Sequence, residues 1–270
     1  MPTDMPIARA ASARSPTDAA SLVGSGPARR IEVPILTEVA GLTHLFSVRG
    51  SQIPEALAAA AGHVLPIVSL KQVHGADVLV ADGRSARAAG AWASAPALRP
   101  EGDALVVAEP GVAIGVWVAD CAPVLICHEP TRTAAAVHAG WRGTVKGVVG
   151  AAIAVLGSRF GADPGGMRVA IGPCIGRCCF EVGDEVGEAL LAAFPDAGTC
   201  IIPGAKPHID LVEANRLQAQ AAGVPAGRIQ AAGLCTMCRP DLLESYRRGR
   251  GSSGRMAGII AWNMARGDGA

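Results

Sequence analysis

Residues 134–147 read AAAVHAGWRGTVKG. A run of small and β-branched residues leads into His138, and Gly140, Trp141, Arg142 and Gly143 follow closely. An apolar run of this kind fits a buried strand, and the end of a buried strand has no need of a histidine. The stretch therefore reads as a strand that delivers one imidazole to a site whose surroundings must leave room.

The flanks continue the strand pattern. DALVVAEPGVAIGVWVADCAPVLICHEPTRTAAAVHAGW, residues 103–141, contains three apolar runs split by Glu-Pro-Gly and Glu-Pro-Thr turns. Downstream, TVKGVVGAAIAVLGSRFG has helical period and ends in glycine, and MRVAIGP is another strand. EVGDEVGEALLAAFP and DLVEANRLQAQAAGV read as amphipathic helices. In the second, Asp210 is placed to cap and Glu213 lies three residues on. GIIAWN is a closing strand. Upstream, RIEVPILT and THLFSVRG are strand-like, residues 54–62 form a short helix opened by proline, and VLPIVSLKQVHGADVLVAD reads as strand, turn, strand. Residues 84–100 are an Ala-rich connection. Strands dominate the middle and helices the second half, which places the chain in the α+β class, as a single domain over residues 31–270.

Half of the 270 residues are apolar but only 3% are aromatic, so Ala, Val, Leu and Ile must fill the core. Residues 1–30, rich in Ala, Ser, Pro and Arg, read as a disordered tail without the apolar stretch of a secretory signal. No apolar run reaches the roughly 18 residues needed to span a bilayer. The net charge of +1 gives no general reason to bind nucleic acid or an acidic membrane. The expected partner is a small molecule, and the protein a monomer or small homo-oligomer. Eight cysteines without an export signal point to reduced thiols in the cytoplasm, with metal or catalytic roles.

Three strand ends stand out: KQVHGADV with His74, VADCAPVLI with Cys121 and AAVHAGWRG with His138. Each puts a soft or borderline donor where a strand gives way to a Gly- or Pro-containing turn. Two imidazoles and a thiolate suit zinc and leave a fourth position for water or substrate. Their separations, 47 and 17 residues, match no compact finger, and each residue alone also reads as an ordinary buried or satisfied side chain.

From about Leu42 onward the chain resembles the bacterial laccase-domain family, also described as multicopper polyphenol oxidases and purine nucleoside phosphorylases. KQVHGADV, EGDALV, VADCAPVLI, HAGWRGTVKGVV, IGPCIGRCCFEVGDEV and CTMCRPDLLESYRRGRGSSGR occur in the family's order. The resemblance implies an α+β fold, with a curved mixed or antiparallel sheet around a channel and helices packed outside. It implies zinc on His74, Cys121 and His138, phosphorolysis of adenosine, inosine or guanosine, and adenosine deamination. Copper-dependent phenol oxidation is the alternative activity. The sequence departs from the family after Arg49: LFSVRGSQIPEALAAAAG keeps Phe46, Ser47 and Arg49 but not the Gly-Gly-Val-Ser turn and Asn-Leu-Gly stretch that usually follow.

On that resemblance, several residues take candidate roles. Gly140 lets the chain turn past a crowded metal, and Trp141 can wall a pocket and stack on a purine, or serve as core. Arg49 and Arg142 carry planar donor forks suited to phosphate. Deamination calls for water activated at zinc and a carboxylate that moves protons to the departing ammonia. Asp103 and Asp120 are the candidates, and Asp120 can equally be the partner that orients a histidine ligand.

Cys174, Cys178, Cys179, Cys235 and Cys238 fall in GPCIGRCC and CTMC. They suit a structural or pocket-edge role, with a separate thiolate zinc site, a disulfide or a redox pair as alternatives. Cys127, His128 and Cys200 read as packing or surface residues. The five arginines between 239 and 255 read as a loop bordering the pocket rather than an RNA contact. Only six histidines are present, too few for multicopper chemistry, which ranks zinc above copper. Two further readings remain. One is hydrolytic editing of peptidoglycan precursors carrying a wrong amino acid. The other is a binding protein that keeps the metal for stability.

Overall fold

The structure, a computed structural model, describes residues 20–86 and 99–264. In chain order the strands are β1 Ser21–Val23, β2 Arg30–Glu32, β3 Leu42–Ser47, β4 Ile67–Val68, β5 Val78–Ala81, β6 Ala104–Val107 and β7 Ala113–Val118. They continue with β8 Ala122–His128, β9 Thr133–Ala139, β10 Met167–Ile171, β11 Ile201–Ile202, β12 His208–Ile209, β13 Ile229–Ala231 and β14 Met256–Trp262. One six-stranded sheet has the order β1-β2-β3-β14-β7-β4 and the other β13-β10-β8-β9-β6-β5, while β11 and β12 form a separate pair. The α+β class read from the sequence is the class observed, with the strands divided between two mixed sheets.

Period-two alternation explains the layers. In β8, Leu125 and Cys127 join the core shared with Ile114, Val116, Ile260 and Trp262 of the first sheet. Val124 and Ile126 of the same strand point the other way, onto Val149, Ile153 and Leu156 of the helix Val148–Phe160. β9 is buried along its whole length, and its alanines let neighbours approach closely on both faces. The helix Ile53–Ala61 covers the first sheet's outer face, where Ala56 and Leu57 meet Leu45, Ile259 and Ala261. A further cluster gathers Phe180 with Val186 and Leu190 of the helix Asp184–Ala193. In the helix Leu211–Ala221, the Asp210 side chain accepts the Glu213 N–H at 3.0 Å, as expected of a cap.

Several expectations need correction. Composition puts residues 1–30 in a tail, but Ser21–Val23 form β1 and pair with β2, Leu22 opposite Ile31; residues 1–19 lie outside the described residues. Pro34–Thr37 is a helical turn and not strand, opened by a proline that the start of a helix tolerates. The three apolar runs between 103 and 141 are four strands, because Asp120, at φ +86°, breaks the run between β7 and β8. The helical stretch after Trp141 divides into Trp141–Val145 and Val148–Phe160 at Gly147, φ +78°. The two strands read in residues 64–82 enter different sheets. Most of the Ala-rich connection, residues 87–98, lies outside the described residues, as do residues 265–270.

Candidate metal centre

Topology explains why residues far apart in sequence meet. In the order β8-β9-β6-β5, β8 and β6 each run antiparallel to β9, and β5 runs parallel to β6. The starts of β5, β6 and β8 and the end of β9 therefore share one end of the sheet. His74 lies four residues before β5, Asp103 and Cys121 one residue before β6 and β8, and His138 one residue from the end of β9. The potential ligand atoms of His74, Cys121 and His138 lie within 4.8 Å of one another, a group that could hold a metal ion. The two imidazole rings meet edge-on, with centroids 4.8 Å apart. His138 is buried and His74 exposed, so the cluster stands at the protein surface with one side closed.

Asp103 organises this group. Its carboxylate accepts backbone N–H groups from Val73 at 3.2 Å, His74 at 2.9 Å and Gly75 at 2.6 Å. It also accepts from His138 Nδ1 at 2.8 Å. A carboxylate only accepts, so Nδ1 carries a proton, and Nε2 is the nitrogen that can offer a lone pair to a ligand once it gives up its own proton. The three N–H groups form a nest that draws His74 into the left-handed region at φ +58°. Gln72 fixes the preceding turn, its side chain bonding the N–H and carbonyl of Trp117 at 2.7 Å each.

Electrostatics follow from this packing. Burial pushes the Asp103 carboxyl up, but the His138 hydrogen bond and the Gly75 N–H outweigh it and hold it below the usual range. Burial also raises the Cys121 thiol, yet hydrogen bonds and charge from His138 and His74 draw it down to about 6. For His138, burial is opposed by Asp103 and Cys121, and its pKa stands near 9. Thiolate and imidazolium favour each other here, and a cation brought to the site would meet a thiolate already favoured.

Gly140 acts through space and not through its dihedral angle. Its φ of −72° is ordinary, but a Cβ there would lie 2.8 Å from Cys121 Sγ and 3.2 Å from His74 Cδ2. The sharp turn expected at this glycine is instead a close approach.

Other expected residues sit differently. The Asp120 carboxylate accepts from Thr236 Oγ1 at 2.5 Å, Ser245 Oγ at 3.1 Å and the Arg247 N–H at 2.7 Å, and from neither histidine. Both carboxylates expected to move protons thus hydrogen-bond the backbone and side chains around them. Arg49 is held by Glu244 at 3.1 Å, and Arg142 stacks over Trp141 at 4.3 Å. Trp141 itself packs on the cluster around Ile175 and Phe180. Arginines of the 239–255 loop tie it to its neighbours: Arg248 donates to the carbonyls of Thr236, Met237 and Leu243, and Arg247 to that of Glu181. Cys127 and Cys200 are buried packing residues, and His128 bonds Thr131. Lys146, whose Nζ lies 3.4 Å from the His74 carbonyl, is a cation beside the site that the sequence reading passed over. Nothing but its closeness to His138 in TVKG marks it. A cavity of about 670 Å³ bordered by Glu38, Arg168, Arg216 and Arg228 lies apart from the cluster.

Comparison with known proteins follows the same lines. Residues 51–263 match a family model described as multi-copper polyphenol oxidoreductase laccase. The purine nucleoside phosphorylase YlmD of Geobacillus stearothermophilus is 39% identical over 196 residues, covering 72% of this chain and 71% of that protein. An adenosine deaminase, RL5, from an unknown prokaryotic organism is 40% identical over 156 residues, covering 57% and 59%. The crystal structure of YlmD from Geobacillus stearothermophilus superimposes with a TM-score of 0.82 at 28% identity, covering 92% of this chain and all of that one.

Proposed function

The chain belongs to the multi-copper polyphenol oxidoreductase laccase family, and from that premise we propose that it is a zinc-dependent enzyme acting on purine nucleosides. Its main reaction in this reading is phosphorolysis of adenosine, inosine or guanosine, with adenosine deamination as a second activity. Purine nucleoside processing is supported by relatives named for phosphorylase and deaminase activity. The observation that carries the metal-dependent reading is the convergence of His74, Cys121 and His138 within 4.8 Å. Two imidazoles and a thiolate fit zinc with one position left open, and the space that Gly140 preserves beside Cys121 fits the need for an uncrowded sulfur.

His74, Cys121 and His138 would hold the zinc, which would supply Lewis acidity toward a polar group of the substrate. The chain's own residues do the rest. Asp103 keeps the His138 proton on Nδ1 and fixes the ring. Asp120 ties the start of β8 to the loops at Thr236 and Ser245. Arg142 and Lys146 lie on or beside the helical turn after Gly140, where their charge suits phosphate. Trp141, half-buried with Arg142 over its ring, suits the edge of a purine pocket. Zinc is favoured over a multicopper centre by the placement of the remaining histidines. His44 binds the Val33 N–H, His63 the Ala61 carbonyl, His128 lies by Thr131, and His208 sits in β12. Of the histidines among the described residues, only His74 and His138 join a group of three or more potential ligand side chains. No helix among the described residues is long and apolar enough to cross a membrane.

Purified protein incubated with inosine tests this. With phosphate present it should release hypoxanthine and a ribose phosphate, and His138→Ala should lower the rate by at least about 100-fold, in line with loss of a metal ligand. Absence of base release by a folded, zinc-loaded parent protein contradicts the nucleoside reading.

A further inference from the structure

The cysteines beyond the first site form a second cluster. Cys178, Cys179, Cys235 and Cys238 place their sulfurs within 4.8 Å of one another. Cys238 Sγ lies 3.6 Å from Cys178 Sγ and 3.5 Å from Cys179 Sγ. Those separations far exceed a disulfide of about 2.05 Å. They approach the edge of a tetrahedron with metal–sulfur bonds of about 2.3 Å, which is roughly 3.8 Å. We propose that these four cysteines bind a structural zinc ion, at a place distinct from His74, Cys121 and His138 and with no direct part in the proposed nucleoside chemistry.

The backbone around the sulfurs supports the assignment. The loops carrying them are zipped in parallel, with Cys174 N donating to the Leu234 carbonyl at 3.3 Å and Thr236 N to the Cys174 carbonyl at 3.0 Å. That pairing brings the Gly176 N–H to 3.2 Å from Cys235 Sγ, a charge-assisted contact when the sulfur is a thiolate. A Cβ on Gly176 would sit 3.2 Å from Cys235 Cβ and 3.3 Å from Cys178 Sγ, so the glycine leaves the sulfurs their room. Cys235-Thr236-Met237-Cys238 supplies the two-residue spacing common to thiolate zinc sites, and the neighbouring Cys178 and Cys179 supply the other pair from a tight turn. Four thiolates without an ion would repel one another at this distance, whereas a soft divalent ion in tetrahedral geometry reverses that cost. The ion would also act on the first site through structure. Thr236, inside the Cys-x-x-Cys turn, bonds the Asp120 carboxylate, and the Ile175 N–H donates to the Asp120 carbonyl at 2.9 Å. Both loops therefore brace the residue that precedes Cys121.

Metal content of the full-length protein, loaded with Zn²⁺ under reducing conditions, tests the proposal. Two zinc ions per chain are expected, one for each group. Cys235→Ser/Cys238→Ser should retain only the ion at His74, Cys121 and His138, and His138→Ala should retain only the ion at the four cysteines. With Co²⁺ instead, the thiolate-to-metal charge-transfer absorption should survive in His138→Ala and fall steeply in the double cysteine variant. Should the cysteine variant fail to fold, alkylation of the parent protein decides. The exposed Cys178 and Cys238 should resist iodoacetamide when zinc-loaded and react after chelation. Zinc content that is the same in the parent and in the double cysteine variant, or equally rapid alkylation of these cysteines with and without chelator, overturns the assignment.

Discussion

The Asp103 carboxylate takes three consecutive backbone N–H groups and the His138 ring, and is fully buried. Its role follows from that count, since it fixes one ligand's tautomer and the backbone of another. In Asp103→Asn one oxygen becomes an amide donor facing N–H groups, so the nest and the His138 ring lose their common anchor. Zinc affinity, measured by competition with a chelating dye, should fall about 10- to 100-fold. Unchanged affinity in a folded variant would remove Asp103 from the account. The sequence brought Asp103 into view through EGDALV, but as a proton carrier. The nest was hidden because three successive N–H groups converge only once residues 73–75 are set against the start of β6.

Elements carry the next layer. The strand ending at His138 was legible from AAAVHAGW, as were the helix over 54–62 and the cap at Asp210. The break at Asp120 was not, because a positive φ on an aspartate leaves no trace in hydrophobic pattern. Gly140 offers a direct trial of how the end of β9 was built. Its backbone admits alanine, so Gly140→Ala should cost only about 1–3 kcal/mol of stability through overpacking. Zinc affinity should suffer far more, because the new Cβ meets Cys121 Sγ at 2.8 Å. Gly150→Ala is the matched control: its Cβ meets nothing within 4 Å, so affinity should hold and thermal stability rise by up to about 1 kcal/mol. Equal metal affinity in the two variants would show that the space beside the sulfur is unimportant.

For the whole molecule, the α+β class could be read from the strand and helix order, but the division into two sheets could not. Residues 67–68 and 78–81 look alike in sequence and pair with β7 and β6 respectively, a choice made by long-range packing. The buried His44 links that packing to pH. Its Nε2 accepts the Val33 N–H at 2.9 Å, and burial, with Arg30 adding to it, lowers its pKa to about 4. Above pH 6.5 folded and unfolded chains both hold it neutral. As pH falls from 6.5 towards 4, the unfolded chain binds the proton first, and stability should drop by about 3 kcal/mol from this group. His44→Gln, which keeps an acceptor, should flatten that part of a thermal unfolding series, and an unaltered slope would contradict the assignment. The central claim is the ion at the shared end of β5, β6, β8 and β9. Crystals of zinc-loaded protein, measured on both sides of the zinc absorption edge, test it most directly. An anomalous peak is expected about 2.0–2.3 Å from a nitrogen of His74, Cys121 Sγ and His138 Nε2. Side chains of these three residues turned apart, with no peak among them, would contradict it.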